Sequence, residues 1–180
     1  FRIPLRPAAV ALALGLAVSA CSPISVSQMS LTEAYDLRSH SALAGDSPGR
    51  PTQNVLETLN LRGQWQKNPE AALAALRQKT IADPHHPQFT DRLFALAELH
   101  YLRGRRTSDR VAFMAAAVYA YALLAPGERP ENRPSVYDPR FRQACDLFMF
   151  GLTNAFGAPV SVASPRWLLP FGTLDSFPGP

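Results

Sequence analysis

Apolar residues recur with a helical period over two long segments in the middle of the chain. Leu93, Leu96 and Leu99 are spaced by three, and 111–125 is apolar for fifteen residues, counting its two tyrosines. Spacings of three or four place side chains on one face of an α-helix. A helix that is apolar on every side must be covered from several directions, and fifteen residues fall short of the roughly 20 that span a bilayer. The pattern predicts a helix over 90–104 and a more deeply buried helix over 111–125.

Two further helices are marked by a capping residue directly before a proline. Asn68-Pro69-Glu70 and Asp138-Pro139 both follow this pattern, which favours a helix start because proline suits the first helical position. The first predicts a helix that ends before Asp83-Pro84. The second predicts a helix that runs to about Phe156 and ends at Gly157.

Other boundaries are indicated by single residues. Thr52 is placed to cap a short helix that ends at Gly63, Gly104 to end the helix over 90–104, and Ser108 to cap the next one. These signals complete a set of helices joined by short connections. They predict a mainly α domain over 51–157, built as a bundle of antiparallel helical hairpins.

The helical pair over 90–125 is weakly similar to a tetratricopeptide repeat. Four residues resemble the small, aromatic and helix-ending positions of that motif: Gly104, Tyr119, Ala122 and Pro126. The spacing differs from the repeat, and no second copy follows at the expected period of about 34. We expect a repeat-like bundle rather than a regular array.

The helical period disappears after residue 157. Val160–Val162 and Trp167–Leu169 are apolar enough for short extended pieces without an identified partner, but Pro159 and Pro165 flank the first of them and argue against a central strand. We therefore expect 158–180 to be an irregular segment that leads into a downstream domain.

The beginning of the chain has the pattern of an export signal. Two arginines precede Ala8–Val18, an apolar run of eleven residues, which is too short for a span but typical of a secretory signal. Val18, Ser19 and Ala20 followed by Cys21 resemble the lipobox of bacterial lipoproteins. We expect a signal peptide over 1–20, cleavage before Cys21 and lipid attachment to the Cys21 thiol. The alternative is an ordinary secretory signal in which Cys21 occurs by chance.

The residues after Cys21 bear on where the protein resides. Ser22, rather than aspartate, follows the cysteine, which in enteric bacteria resembles a signal for the outer membrane. We expect a lipid-anchored protein of the bacterial cell envelope that faces the periplasm from the outer membrane. Residues 21–50 are rich in serine, glycine and proline and are expected to form a flexible tether.

The net charge bears on whether the protein binds nucleic acid. The formal net charge is +4, from 18 basic and 14 acidic residues dispersed along the chain. So small a charge does not favour nucleic-acid binding. Cys145, the second of two cysteines, lies at helical spacing from Phe141 and Phe148, which predicts a buried core position.

One segment matches a catalytic pattern without meeting its chemistry. Gly45-Asp46-Ser47-Pro48-Gly49 has the G-x-S-x-G form of a hydrolase nucleophile elbow. In that elbow the backbone N–H after the serine stabilises an oxyanion, and Pro48 has no N–H. The segment is therefore interpreted as a turn, and no catalytic residue is assigned.

Histidines and arginines offer two more candidates. His85-His86 lies between two prolines, and no cysteine or further histidine stands at metal-ligand spacing, so we expect a surface loop with no metal and no cofactor. Four arginines cluster where one helix ends and the next begins: Arg103, Arg105, Arg106 and Arg110. Cations there offset the helix dipole. Binding of phosphate or lipid headgroups is the alternative. The tyrosines of these helices are interpreted as core or interface residues.

Four stretches carry a family resemblance. They are DRLFALAELHY (91–101), AAAVYAYALL (115–124), DPRFRQACDL (138–147) and LPFGTLD (169–175). With the lipobox they resemble the N-terminal region of large bacterial lipoproteins whose later part is an α/β-hydrolase of the esterase/lipase type. The resemblance implies a non-catalytic helical platform between lipid anchor and hydrolase, with the catalytic residues beyond residue 180. The alternative is a helical adaptor lipoprotein that binds other envelope proteins.

Overall fold

The computed structural model describes residues 30, 41–127, 133–157 and 166–175. These residues form six helices and one two-stranded antiparallel sheet, and 66% of them are helical, which confirms the mainly α prediction. The elements in chain order are the helices α1 (Arg50–Thr58), α2 (Arg62–Lys67), α3 (Pro69–Ala82), α4 (Phe89–Thr107), α5 (Arg110–Leu124) and α6 (Pro139–Phe156), then the strands β1 (Arg166–Leu169) and β2 (Gly172–Asp175).

Both cap-then-proline signals begin helices in the structure. The Asn68 side chain accepts a hydrogen bond from the Ala71 N–H at 3.1 Å, and Asp138 accepts one from the Arg140 N–H at 2.9 Å. Each bond satisfies an N–H that has no partner within its own helix. Helix α6 ends where predicted, at Gly157, whose φ of 71° is readily adopted by glycine.

The boundaries predicted between residues 52 and 63 are wrong. Thr52 lies inside α1 with 0% of its surface exposed, and Gly63 lies inside α2. The chain turns between these helices at Asn60, which adopts a left-handed φ of 55°. Asparagine tolerates this conformation better than most residues, so the turn does not need the glycine.

The connection between α4 and α5 also differs from the prediction. Gly104 lies inside α4, which continues to Thr107, and the cap of α5 is Asp109, whose side chain accepts from the Val111 N–H at 2.9 Å. A Cβ at residue 104 would lie 2.8 Å from the Phe113 ring. The glycine therefore permits close packing between the helices and does not end one.

Helices α4 and α5 form an antiparallel hairpin. Gly104 meets the Phe113 ring near the connection, and His100 stacks on Tyr119 farther from it, with ring centroids 5.5 Å apart. Going away from the connection along α4, each contact is therefore with a residue that is also farther from the connection on α5, as in an antiparallel pair. Helix α4 also contacts α1, α3 and α6, so it occupies the centre of the body.

Helix α6 packs antiparallel along α5. A Cβ at Gly151 would lie 2.9 Å from the Phe113 carbonyl oxygen, and the Arg110 Nε donates to the Ala155 carbonyl at 2.6 Å. Helix α5 is therefore covered on two sides, which explains its apolar sequence. In the described part of the chain, no helix has both the length and the hydropathy that a bilayer span requires.

The C-terminal segment contains a hairpin that the sequence did not predict. Strand β1 includes the apolar stretch at Trp167 and pairs antiparallel with β2, with Arg166 opposite Asp175. The Trp167 ring contacts Phe156 of α6 edge to face at 5.7 Å. The expectation of an irregular segment is therefore wrong at 166–175. Strands of four residues are too short to give a periodic signal in the sequence, which is why the hairpin was not predicted. Val160–Val162 lies outside the described residues.

Candidate functional site

The predicted lipid-attachment site lies outside the part of the chain that the structure describes. Val18, Ser19, Ala20 and Cys21 all belong to the undescribed residues before Ser30. The signal peptide, its cleavage and the lipid on Cys21 therefore remain predictions from the sequence.

The loop over 41–49, the end of the predicted tether, contacts the helical body. The buried Glu98 carboxylate of α4 accepts hydrogen bonds from the backbone N–H groups of Ala42 at 2.8 Å and Gly49 at 3.0 Å. The Arg105 Nη1 donates to the carbonyl oxygens of Ala42 and Gly45, each at 2.8 Å. A carboxylate and a guanidinium thus hold this loop on α4. The tether prediction therefore does not hold for 41–49. For the residues before Ser41, of which the structure describes only Ser30, it stays a prediction.

The same contacts decide what the G-x-S-x-G segment can do. Pro48 has no N–H, and the Gly49 N–H donates to both oxygens of Glu98 at 3.0 Å. Neither backbone nitrogen after Ser47 is therefore available to stabilise an oxyanion. The segment serves as an attachment of the loop to α4.

The basic cluster is engaged in contacts within the protein. Arg106 Nη2 donates to the Asp46 carbonyl at 2.7 Å, and its guanidinium lies 5.5 Å from the centroid of the Trp65 ring. Arg105 pairs with the Asp46 carboxylate at 3.0 Å. Arg110 donates to the carbonyl oxygens of Ala155 and Phe156, the last residues of α6. These arginines join the 41–49 loop and the C-terminus of α6 to the α4–α5 connection, which favours the structural interpretation of the cluster.

The remaining candidates occupy ordinary structural positions. His86 accepts a hydrogen bond at its Nδ1 from the Gln88 N–H at 3.0 Å, which closes a local turn. In the described ranges, no group of three or more histidine, cysteine or acidic side chains could hold a metal ion. Cys145 is half-buried, not fully buried as predicted. Tyr101 and Tyr119 are buried, but Tyr121 is 57% exposed and is not a core residue.

A cavity of about 300 Å³ lies between α3, α4 and the hairpin, and we call it the α3–α4 cavity. Its lining residues are Glu70, Leu73, Ala74, Arg77, His100, Arg103 and Pro170. The four from α3 lie at spacings of three and four, so they share one helix face, and the two from α4 are spaced by three. Pro170 belongs to the turn between β1 and β2, so the hairpin supplies one wall.

The two arginines of the α3–α4 cavity differ in their partners. Arg103 pairs with Glu70 at 2.7 Å and with Asp109 at 3.5 Å. The Arg77 guanidinium lies 5.8 Å from the centroid of the Phe171 ring and has no ion pair with any described residue. Arg77 therefore brings a positive charge to the cavity that no described carboxylate neutralises.

His100 is a buried polar group in the wall of the cavity. Only 3% of its surface is exposed, and its Nδ1 has no hydrogen-bond partner among the described residues. The pKa of His100 is lowered to about 4, first by burial and then by the Arg103 charge, while the Asp109 charge partly opposes these effects. The imidazole is therefore neutral at pH 7, with one nitrogen that donates and one that accepts.

Tyr119 lies behind His100 and joins it to the hairpin. Its ring stacks on His100 and contacts Phe171 with centroids 4.9 Å apart. Burial raises the pKa of Tyr119 to about 12, although the nearby Arg77 charge partly offsets this. Its hydroxyl lacks hydrogen-bond geometry to any other described residue, Arg77 included.

Neither His100 nor Arg77 lies in a sequence pattern that marks a functional site. His100 was visible as one polar residue on an apolar helix, three positions before Arg103. Nothing in the sequence indicated that Pro170 would lie beside them, because the hairpin itself was not predicted. Arg77, His100 and Pro170 come together only when the chain folds.

A second cavity, of about 430 Å³, lies near the N-termini of α1, α4 and α6. Arg140 in its wall pairs with Asp138 at 2.6 Å and also with Asp91. The Arg140 charge is therefore already engaged by two carboxylates of the protein. In the α3–α4 cavity, Arg77 has no described carboxylate partner and the buried His100 Nδ1 has no described hydrogen-bond partner, so this cavity is the stronger candidate site.

None of the protein-family models, curated proteins or solved structures compared with this chain matches it.

Proposed function

We propose that this chain is the non-catalytic N-terminal helical platform of a membrane-anchored lipoprotein. In this proposal, lipid on Cys21 holds the protein on the outer membrane, facing the periplasm. The helical body then carries an α/β-hydrolase domain of the esterase/lipase type beyond residue 180. The lipobox-like residues Val18–Cys21 support the anchor, and the resemblance of the four stretches between 91 and 175 supports the hydrolase.

The observation that carries the non-catalytic assignment is the hydrogen bonding of Gly49. Acyl transfer needs a nucleophile, a base and preformed oxyanion donors held together. The only serine in a G-x-S-x-G pattern is Ser47. It is followed by a proline and then by Gly49, whose N–H donates to Glu98. A mechanism at Ser47 would need this loop to leave α4.

The platform is further proposed to be weakly tetratricopeptide-like. The support is the α4–α5 hairpin, in which Gly104 permits close approach of the Phe113 ring. Small residues at such positions allow paired helices to pack closely, as in helical repeats. Helix α6 against the outer side of α5 continues this arrangement.

The anchor is tested by labelling with palmitate in the bacterial host. Cys21→Ser should abolish the label and leave a larger, unprocessed precursor, because no thiol then remains at the cleavage motif. Cys145→Ser is the matched control and should be labelled like the unaltered protein. Label retained by Cys21→Ser would contradict the proposal.

The division of labour is tested by ester hydrolysis. Residues 21–180 should hydrolyse no simple acyl ester, whatever the acyl length, whereas a longer protein with the downstream domain should do so through a serine beyond residue 180. Hydrolysis by 21–180 alone would contradict the platform assignment.

A helical adaptor that binds other envelope proteins is the second candidate. The exposed apolar side chains at the outer surface of α5 and α6 favour it: Tyr121, Met149 and Phe150 are 57%, 60% and 49% exposed. An inactive longer protein that co-purifies with a single envelope protein would favour the adaptor. Loss of that partner in Met149→Glu, with unchanged folding, would place it on this surface.

A further inference from the structure

The α3–α4 cavity combines three features that suit a ligand site, which is usually apolar with a few placed polar groups. It holds a guanidinium without a carboxylate partner at Arg77, a buried imidazole at His100, and an apolar wall. Buried polar groups in proteins are almost always hydrogen-bonded, because burial without a partner costs folding free energy. His100 Nδ1 lacks such a partner among the described residues. An anion in the cavity would neutralise Arg77 and lie against the imidazole of His100, because both residues line the cavity.

We propose that the α3–α4 cavity binds a small organic anion, with its carboxylate or phosphate group against Arg77 and His100 and its apolar part against Leu73, Ala74 and Pro170. This inference goes beyond the platform function and does not depend on it.

The charge of the ligand follows from the arginines. A guanidinium presents N–H donors in a planar fork that matches the paired oxygens of a carboxylate or a phosphate. Arg103 already donates to Glu70 at 2.7 Å, so its charge is largely satisfied. Arg77 lies against the face of the Phe171 ring and near Tyr119, and no described carboxylate pairs with it. It is therefore the group whose charge an anion would neutralise.

His100 adds direction to the site. It is neutral at pH 7 because burial lowers its pKa to about 4. A neutral imidazole donates one hydrogen bond and adds no charge of its own, so it can orient an oxyanion without making the cavity more cationic. Tyr119 stacks on it with an angle of 19° between the rings and fixes its plane.

The size and lining of the cavity indicate an organic anion. A cavity of about 300 Å³ lies at the lower end of the range for small-molecule sites, which are mostly apolar with a few placed polar groups. Leu73, Ala74 and Pro170 provide the apolar part. An inorganic ion would leave this wall in contact with water.

The hairpin explains how the site is held together. Pro170 closes one side of the cavity, and the next residue, Phe171, contacts both the Arg77 guanidinium and the Tyr119 ring. A single turn therefore positions the cation and supports the imidazole through Tyr119. The two short strands therefore hold the turn that positions Arg77 and supports His100.

Binding is measured by calorimetry and by NMR of the full chain at pH 7 with three probes of similar shape. Benzoate and phenyl phosphate carry the two proposed head groups, and benzamide is the neutral counterpart of benzoate. At least one anion should bind more than tenfold tighter than benzamide and should shift the resonances of His100. Preference for benzoate identifies a carboxylate ligand, and preference for phenyl phosphate identifies a phosphate. Failure of both anions to bind overturns the proposal, as does equal binding of benzamide.

Three variants locate the binding. Arg77→Gln should weaken anion binding at least tenfold, and Arg142→Gln, an exposed arginine of α6, should leave it unchanged. Glu70→Gln should strengthen binding severalfold, since it removes the carboxylate that competes for Arg103. Glu70 is 73% exposed, so this variant does not put folding at risk. Unchanged affinity in both Arg77→Gln and Glu70→Gln would overturn the proposal, and if Arg77→Gln fails to fold, Glu70→Gln decides alone.

Discussion

The backbone N–H of Gly49 donates to both carboxylate oxygens of Glu98 at 3.0 Å, across 49 residues of sequence. Glu98 is completely buried in the central helix α4. It accepts a further hydrogen bond from the Ala42 N–H at 2.8 Å. A buried carboxylate is retained only where such bonds offset its desolvation. The loop and the carboxylate therefore stabilise each other.

Replacement of Glu98 should release this loop. In Glu98→Gln an NH2 group replaces one of the two acceptor oxygens. This group is a donor and cannot accept from the Gly49 N–H. We expect a loss of about 1–3 kcal/mol in the free energy of unfolding, measured in urea. The amide protons of Ala42 and Gly49 should also exchange faster.

The matched control is Glu57→Gln, which removes a surface ion pair to Arg62 with side chains 51% and 63% exposed. It should change stability by less than about 0.5 kcal/mol. Equal effects of the two replacements would show that the buried hydrogen bonds of Glu98 do not matter.

The packing of α5 against α6 depends on the absence of a side chain at residue 151. Gly151→Ala would place a Cβ 2.9 Å from the Phe113 carbonyl oxygen, which is backbone and cannot rotate away. We expect a loss of about 1–3 kcal/mol from overpacking. Gly63→Ala in α2 meets nothing within 4 Å. It should be neutral or stabilising by up to about 1 kcal/mol. Thermal unfolding of both variants tests the contact, and a stable Gly151→Ala protein would argue against it.

His100 should make stability depend on pH below neutrality. Its folded pKa of about 4 lies under the ordinary value of 6.5 because burial disfavours the imidazolium. Between these pH values the unfolded chain binds a proton that the folded chain does not. Stability therefore falls as pH drops from 6.5 towards 4, by about 3 kcal/mol in all.

The dependence on His100 is checked by urea unfolding between pH 4 and 7, with His100→Gln as the comparison. The variant should lose most of this slope. An NMR titration of the folded protein that gives His100 a midpoint near 6.5 would contradict the predicted shift.

Ser47 should not react as a catalytic serine. Pro48 offers no N–H, and the Gly49 N–H is bonded to Glu98. We expect no adduct at Ser47 after treatment with a fluorophosphonate, as judged by mass spectrometry of the digested chain. The esterase proposal would have to be reassigned to this loop if an adduct mapped to Ser47 and Ser47→Ala removed it.

The sequence by itself determined the helices whose signals are local. Asn68 and Asp138 cap α3 and α6 because a side-chain oxygen next to a helix start bonds to an N–H two or three residues away. The apolar run over 111–125 required a helix covered on several sides, and α5 is covered by α4 and α6. Such features follow from contacts between near neighbours or from composition alone.

The tertiary structure decided every feature that depends on distant residues. Glycine is a residue type that often ends a helix, but Gly104 lies inside α4. It is glycine because the Phe113 ring of the next helix leaves no room for a Cβ. Glu98 lies on an apolar helix, and only the folding of the 41–49 loop gives its carboxylate partners. The α3–α4 cavity requires α3, α4 and a hairpin turn at Pro170 to meet. Each of these pairings joins residues that a periodic pattern cannot relate, because chain separation and spatial distance become independent once the helices pack.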